Sequence, residues 1–228
     1  MKNQKTKPSF EFVALMASLM SIVALSIDAL LPALSNIGIA VHNNNSTDHQ
    51  LLITMIFLGL GLGQLFFGPL SDSYGRKPII YIGFLVFIIS SFICVLATSL
   101  EVMIIGRILQ GIGLSAARTI SISIIRDTYE GNYMAKVMSF VTAFFILVPV
   151  VAPAFGKIIL ESMGWKAIFY MQIFFSFVIG IWFWKRQPET LHPEYKIPFT
   201  SHVFIDGLKE LIRYKETIAC TMVSGLIT

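Results

Sequence analysis

Apolar residues fall in long blocks, separated by short polar stretches. The blocks run roughly over Phe12–Leu31, Leu51–Leu70, Ile79–Ala97, Val102–Ile125, Val137–Leu160 and Ile168–Trp184. Each approaches the ~20 residues a helix needs to cross a hydrocarbon core of about 30 Å. Chain in lipid must satisfy its own backbone groups, which favours helices for blocks of this length. The pattern predicts an all-α integral membrane protein with six spans. The second and third are joined by a charged turn after Gly68-Pro69, carrying Asp72, Gly75, Arg76 and Lys77. Asn36 to Gln50 is polar and lacks Lys and Arg, which predicts an external loop.

Three lysines, Lys2, Lys5 and Lys7, precede the first block. That block is too long for a typical signal-peptide core and has no clear small-x-small cleavage site, so it is read as a retained helix. After the sixth block, Gln187 to Pro198 is a proline-punctuated linker. From Ser201 to Lys215, Phe204, Leu208, Leu211 and Ile212 share one helical face, and Lys209, Glu210 and Arg213 fall elsewhere. This suits an amphipathic helix on the membrane surface, or one packed on protein. A seventh apolar run occupies 217–228. At 1.5 Å per residue it covers about 18 Å, less than a bilayer core. The expected organisation is a six-span bundle over 1–186, a cytoplasmic loop over 187–216 and the start of a seventh span over 217–228.

Composition agrees with the blocks: 55% of residues are hydrophobic, 13% are charged, and the mean hydropathy is +0.75. The net charge of +4 arises in loops and not on a basic face, so nucleic acid is not an expected partner. The cations also give the orientation. Arg76, Lys77, Arg126, Lys136, Lys185 and Arg186 join the amino-terminal lysines on one side, and only Lys157 and Lys166 lie on the other. By the positive-inside rule the amino terminus and the Asp72–Lys77 turn are cytoplasmic. The two cysteines, Cys94 and Cys220, both sit in apolar runs and read as small buried hydrophobes. All four histidines are expected in loops, which leaves no base for a serine nucleophile at Ser115 in the membrane. No HExxH, phosphate loop or other cofactor pattern is present, so neither an enzyme nor a cofactor is expected.

Apart from Lys157, near the end of its block, the charged residues inside the predicted spans are Asp28, Arg107 and Arg118. Each costs roughly 2.5–3.5 kcal/mol on insertion scales and belongs in a protein interior or a wet cavity. Asp28 and Arg107 fall at comparable depth, so a pair is geometrically possible. Arg107, Gly111, Leu114 and Arg118 follow one stripe of the fourth span, with the two arginines about 16 Å apart along its axis. A carboxylate whose surroundings alternate between a dry cavity and a guanidinium can load and release protons near neutral pH.

Gly68-x-x-x-Asp72-x-x-Gly75-Arg76-Lys77 resembles the loop signature between helices two and three of the major facilitator superfamily, with Ser73 where a basic residue is usual. Ser26-Ile27-Asp28-Ala29-Leu30-Leu31-Pro32 resembles the first helix of drug/proton antiporters of the bicyclomycin-resistance type. Arg107-x-x-Gln110-Gly111 resembles their proton-transfer motif, and Arg126-Asp127, Trp165 and Pro188-Glu189-Thr190-Leu191 also fit. The fifth helix departs from the pattern: Ala152-Pro153 and Gly156-Lys157 stand where Gly-Pro and paired glycines are typical, with an additional Pro149.

The resemblance implies a twelve-helix fold in two halves, of which this chain matches the first and the central loop. It implies proton-driven export of small molecules, such as cationic or amphipathic drugs, across the bacterial cytoplasmic membrane. Asp28, Arg107 and Arg118 would serve proton coupling and substrate. Gly68, Asp72, Gly75, Arg76, Lys77 and Asp127 would form a conformational gate, and Pro149, Pro153 and Gly156 a bending element. A missing second half would be the protein partner. An uptake carrier of the same superfamily and an inactive half-transporter are the alternatives.

Overall fold

The structure is a computed structural model that describes residues 8–41 and 46–196. The amphipathic stretch at 201–215 and the seventh apolar run lie outside the described residues. Seven α-helices and two short 3-10 turns make up the described part: α1 (Phe10–Asp28), α2 (Leu34–Ala40), α3 (Ser46–Tyr74), α4 (Arg76–Leu96), α5 (Leu100–Thr128), α6 (Gly131–Met163) and α7 (Trp165–Arg186). The turns are Leu31–Ala33 and Pro193–Tyr195. Among the described residues six segments are long and apolar enough to cross a membrane, the first combining α1 and α2 over Phe10–Ala40. There is no strand among the described residues.

The helices run further than the apolar blocks, because a span continues past the lipid boundary with polar residues. The first span breaks at Pro32, which lacks an N–H, and resumes as α2, so Asn36–Ala40 is helical and not loop. His49 likewise lies in α3 and is buried, with Gly38 of α2 against its ring. The expectation that every histidine lies in a loop therefore fails at His49.

The expected break at Gly68-Pro69 is also absent. Pro69 removes one rung of the helical ladder, yet α3 continues to Tyr74. Asp72 thus sits in the last turn of α3, and Arg76 and Lys77 in the first turn of α4. Only Gly75 is non-helical, with φ 111°, a backbone conformation that glycine adopts at no steric cost.

The core has two storeys. The inner one gathers Leu15, Leu19, Phe87, Ile120, Ile124 and Phe183. The outer one gathers Leu30, Ile37, Leu52, Met103 and Phe169. All seven helices contribute to this partition; α6 supplies Val137, Val141 and Ala152 and stays at the rim with much of its surface exposed. At the crossing of α3 and α5, a Cβ on Gly111 would lie 2.1 Å from the Ile56 carbonyl, and one on Gly59 would lie 2.1 Å from the Ile108 carbonyl. Glycine is what lets these two backbones touch. Gly61 takes no part in this: nothing lies within 4 Å of its Cβ position.

Candidate functional site

Between the two apolar storeys lies a buried polar layer. Arg107 of α5 is its centre and is completely buried. Its Nε donates to the Leu52 carbonyl of α3 at 3.1 Å, and its Nη1 donates to Gln110 Oε1 at 2.8 Å. Both terminal nitrogens reach the Ser26 carbonyl of α1 at 3.4 Å. Gln110 Nε2 continues to Ser91 Oγ of α4 at 2.6 Å, and Gln172 Nε2 of α7 approaches the Ser26 carbonyl at 3.5 Å. Five helices thus meet on one guanidinium and two amides. The geometry follows from the break in the first span. The last backbone bond of α1 runs from the Ala29 N–H to the Leu25 carbonyl, which leaves the Ser26 carbonyl to side-chain donors.

Asp28 is the last residue of α1 and is half-buried. The pair with Arg107 that the sequence permitted does not form: none of the four ion pairs among the described residues includes Asp28. Arg107 is consumed by carbonyl and amide oxygens. Next to Asp28, Gly156 of α6 packs on the chain so closely that a Cβ there would lie 2.0 Å from the Ala29 carbonyl. Pro153 and Pro149 lie about one and two turns earlier in α6, which runs through both without ending. Each deprives the helix of an N–H, so the Phe145 and Pro149 carbonyls lose their usual partners. Arg118 of α5 is set apart from this layer. Its guanidinium carbon lies 5.6 Å from the centre of the Phe145 ring.

At the end of the bundle that carries the α3–α4 turn, Arg76 joins α3, α4 and α5. Its Nη1 is bonded to Asp72 and, at 2.7 Å, to Ser71 Oγ, and its Nε lies 3.0 Å from Asp127 Oδ2. Thr190 Oγ1 also donates to Asp127, at 3.2 Å. Gly68 and Gly75 flank the cluster, and Lys77 Nζ donates to the Trp184 carbonyl at 3.0 Å. A cavity of about 630 Å³ opens beside it, lined by Glu11, Phe12, Asp127, Tyr129, Glu130 and Glu189.

Glu189 was noted in the sequence only as part of the Pro188–Leu191 stretch, with no role of its own, yet it caps α4. Its carboxylate accepts the Arg76 and Lys77 backbone N–H groups, both at 3.0 Å. Partial burial pushes this carboxyl up, and backbone N–H groups of Leu191, Lys77, Arg76 and Thr190 outweigh it, holding the group below the usual glutamate range. An acid three residues after the Lys185-Arg186 pair was the available signal. Gln172 was also missed, although an amide in the middle of an apolar span is itself unusual. Glu11 and Arg186 pair at 2.9 Å and tie the start of α1 to the end of α7.

Comparison with known proteins agrees with this architecture. The sequence model of the Major Facilitator Superfamily matches residues 16–228. The chain is 31% identical over 155 residues to the multidrug resistance protein MdtL of Salmonella paratyphi C (strain RKS4594), covering 68% of this chain and 39% of that protein. It is 30% identical over 213 residues to a bicyclomycin resistance protein homolog of Haemophilus influenzae, covering 93% of this chain and 53% of that one. The crystal structure of the human organic anion transporter MFSD10 (TETRAN) shares the fold with a TM-score of 0.66 at 16% identity, covering 88% of this chain and 53% of that one. The chain spans about half the length of the curated relatives it matches. With six apolar spans among its described residues, a Gly75-Arg76-Lys77 turn between α3 and α4 and a family match over most of its length, this chain belongs to the major facilitator superfamily.

Proposed function

We propose that this chain forms the first bundle of a carrier that exports small molecules across the bacterial cytoplasmic membrane in exchange for protons. One observation carries the reading: Asp28 is a half-buried carboxylate within a span, at a helix break, with no ion-pair partner among the described residues. A carboxylate so placed is free to gain and lose a proton as the cavity around it opens and closes. The names of the multidrug and bicyclomycin resistance relatives support drugs as the cargo.

In this reading the roles are distinct. Asp28 carries the proton. Arg107 modulates it indirectly, by holding the Ser26 carbonyl two residues away. Arg76, with Asp72 and Asp127, latches the cytoplasmic ends of α3, α4 and α5, and a rocking motion rearranges these pairs. Gly68, Gly75 and Lys77 shape the same turn. Pro149, Pro153 and Gly156 let α6 flex against α1. The amino terminus faces the cytoplasm, and a second six-helix bundle completes the substrate site.

The test is transport in proteoliposomes by the carrier containing this chain. Asp28→Asn is expected to abolish substrate-induced proton release while leaving membrane insertion intact. Unchanged proton release in that variant would refute the assignment.

A further inference from the structure

Arg118 differs from the other arginines that the bundle holds. Arg107 spends its donors on the Leu52, Ser26 and Gln110 oxygens, and Arg76 spends its donors on Asp72, Ser71 and Asp127. Arg118 lies ten residues before the end of α5, about 15 Å above the cytoplasmic end of the helix and well inside the apolar span. It is half-buried, and none of the four ion pairs among the described residues includes it. Its recorded contact is the Phe145 ring on α6, 5.6 Å from the guanidinium carbon. A ring face attracts a cation without using up its N–H groups. The guanidinium therefore keeps a planar fork of donors, a shape that matches carboxylate, sulfonate and phosphate oxygens in pairs.

The setting adds an apolar wall. Phe145 lies in the α6 segment just before Pro149, where the helical ladder has lost the rung that would have joined residues 149 and 145. A ring beside a cation suits a flat apolar group that carries an anionic head. Asp28 cannot serve the same head. It belongs to the level of Ser26 and Arg107, and Arg118 lies eleven residues further along α5, on the order of 16 Å away along the axis.

We propose that Arg118 and Phe145 form a subsite for the anionic head of an organic substrate, a carboxylate or sulfonate joined to an apolar ring. The Arg118 fork binds the head, and the Phe145 ring packs against the apolar part. The inference rests on the reading of this chain as part of a small-molecule carrier, and it names a substrate class that the proton site alone does not.

The experiment measures binding to the carrier containing this chain in phosphatidylcholine nanodiscs, with radiolabelled benzoate as the anion and benzyltrimethylammonium as a cation of similar shape. The native chain is expected to bind benzoate saturably and in preference to the cation. Arg118→Met weakens benzoate binding roughly tenfold or more, because the charge-assisted bonds are lost. Arg118→Lys, which keeps the charge and loses the fork, falls between the two. Phe145→Leu weakens it less than Arg118→Met, and Arg126→Met, at the exposed end of the same helix, leaves it unchanged.

Absence of saturable benzoate binding, equal affinity for the cation, or unaltered binding in Arg118→Met with a native melting temperature overturns the proposal. Loss of benzoate binding when phosphatidylglycerol is added to the discs assigns the guanidinium to a lipid headgroup and overturns it too. Failure here, with proton release still lost in Asp28→Asn, removes the subsite and leaves the coupling assignment standing. Benzoate binding with unchanged proton release in Asp28→Asn does the reverse.

Discussion

The Glu189 carboxylate accepts the backbone N–H of Arg76 at 3.0 Å, and so places the segment after the sixth span on the first turn of the third. The neighbouring Lys77 N–H is held at the same distance by the other oxygen. These N–H groups have no partner inside α4, and a carboxylate also meets the positive end of the helix dipole. Glu189→Ala is expected to cost about 1 kcal/mol of stability, the usual loss of a cap. The sign of its pH dependence follows from the lowered carboxyl: the contribution is complete above the ordinary glutamate value of about 4.3 and is lost as pH falls through the lower folded value. Melting temperatures of the native chain and Glu189→Ala, measured from pH 7 downwards, should stay separated to about pH 4.3 and converge only below it.

Arg107 and Asp28 should contribute independently to stability. Arg107→Met leaves the Gln110, Leu52 and Ser26 oxygens without their donor inside the bundle, a loss of roughly 3 kcal/mol or more. Arg107→Lys recovers little, since an ammonium cannot span three acceptors on different helices. Asp28→Asn removes no ion pair and should leave the melting temperature within a few degrees of native, about the shift that a surface substitution gives. Thermal unfolding in detergent decides this. Equal destabilisation by both substitutions would indicate a shared interaction that the structure lacks.

Two glycines of the α3–α5 region give opposite outcomes. Gly111→Ala inserts a Cβ 2.1 Å from the Ile56 carbonyl, which is backbone and cannot swing aside, so about 1–3 kcal/mol is lost. Gly61→Ala meets nothing within 4 Å and removes a flexible residue from a helix, so stability is retained or rises by up to about 1 kcal/mol. Thermal unfolding of the two variants side by side reads the difference directly.

Orientation is open to labelling. Ser162, exposed near the end of α6, and Asn132, exposed at its start, should lie on opposite sides of the membrane. With an impermeant thiol reagent on intact cells, Ser162→Cys is expected to react and Asn132→Cys to react only after permeabilisation. The reverse pattern would invert the topology derived from the cations.

The number and order of the spans, and the residues that meet at the α3–α4 turn, were legible in the sequence because they depend on block length and local motifs. Helix ends were less so. Hydropathy marks where lipid stops, and the backbone ladder continues to Tyr74 and Thr128 regardless. Depth along a helix suggested Asp28 beside Arg107, but rotation about the helix axis and the acceptors freed by Pro32 decided the partners. The contacts of Gln172 and Glu189 depend on which helices become neighbours, and a single sequence carries little of that. Arg118 was placed by its charge, and its ring partner on α6 came only from the fold.

The polar layer between the two apolar storeys also fixes register. A helix in an apolar bundle can slip by one turn, about 5.4 Å, and find equivalent oily surface at its new height. Here such a slip in α1, α3, α4, α5 or α7 would carry an oxygen or an amide into hydrocarbon and strand its former partner. The layer works as a pin through five stacked rods. The rim helix α6, with its two prolines, is left outside the pin.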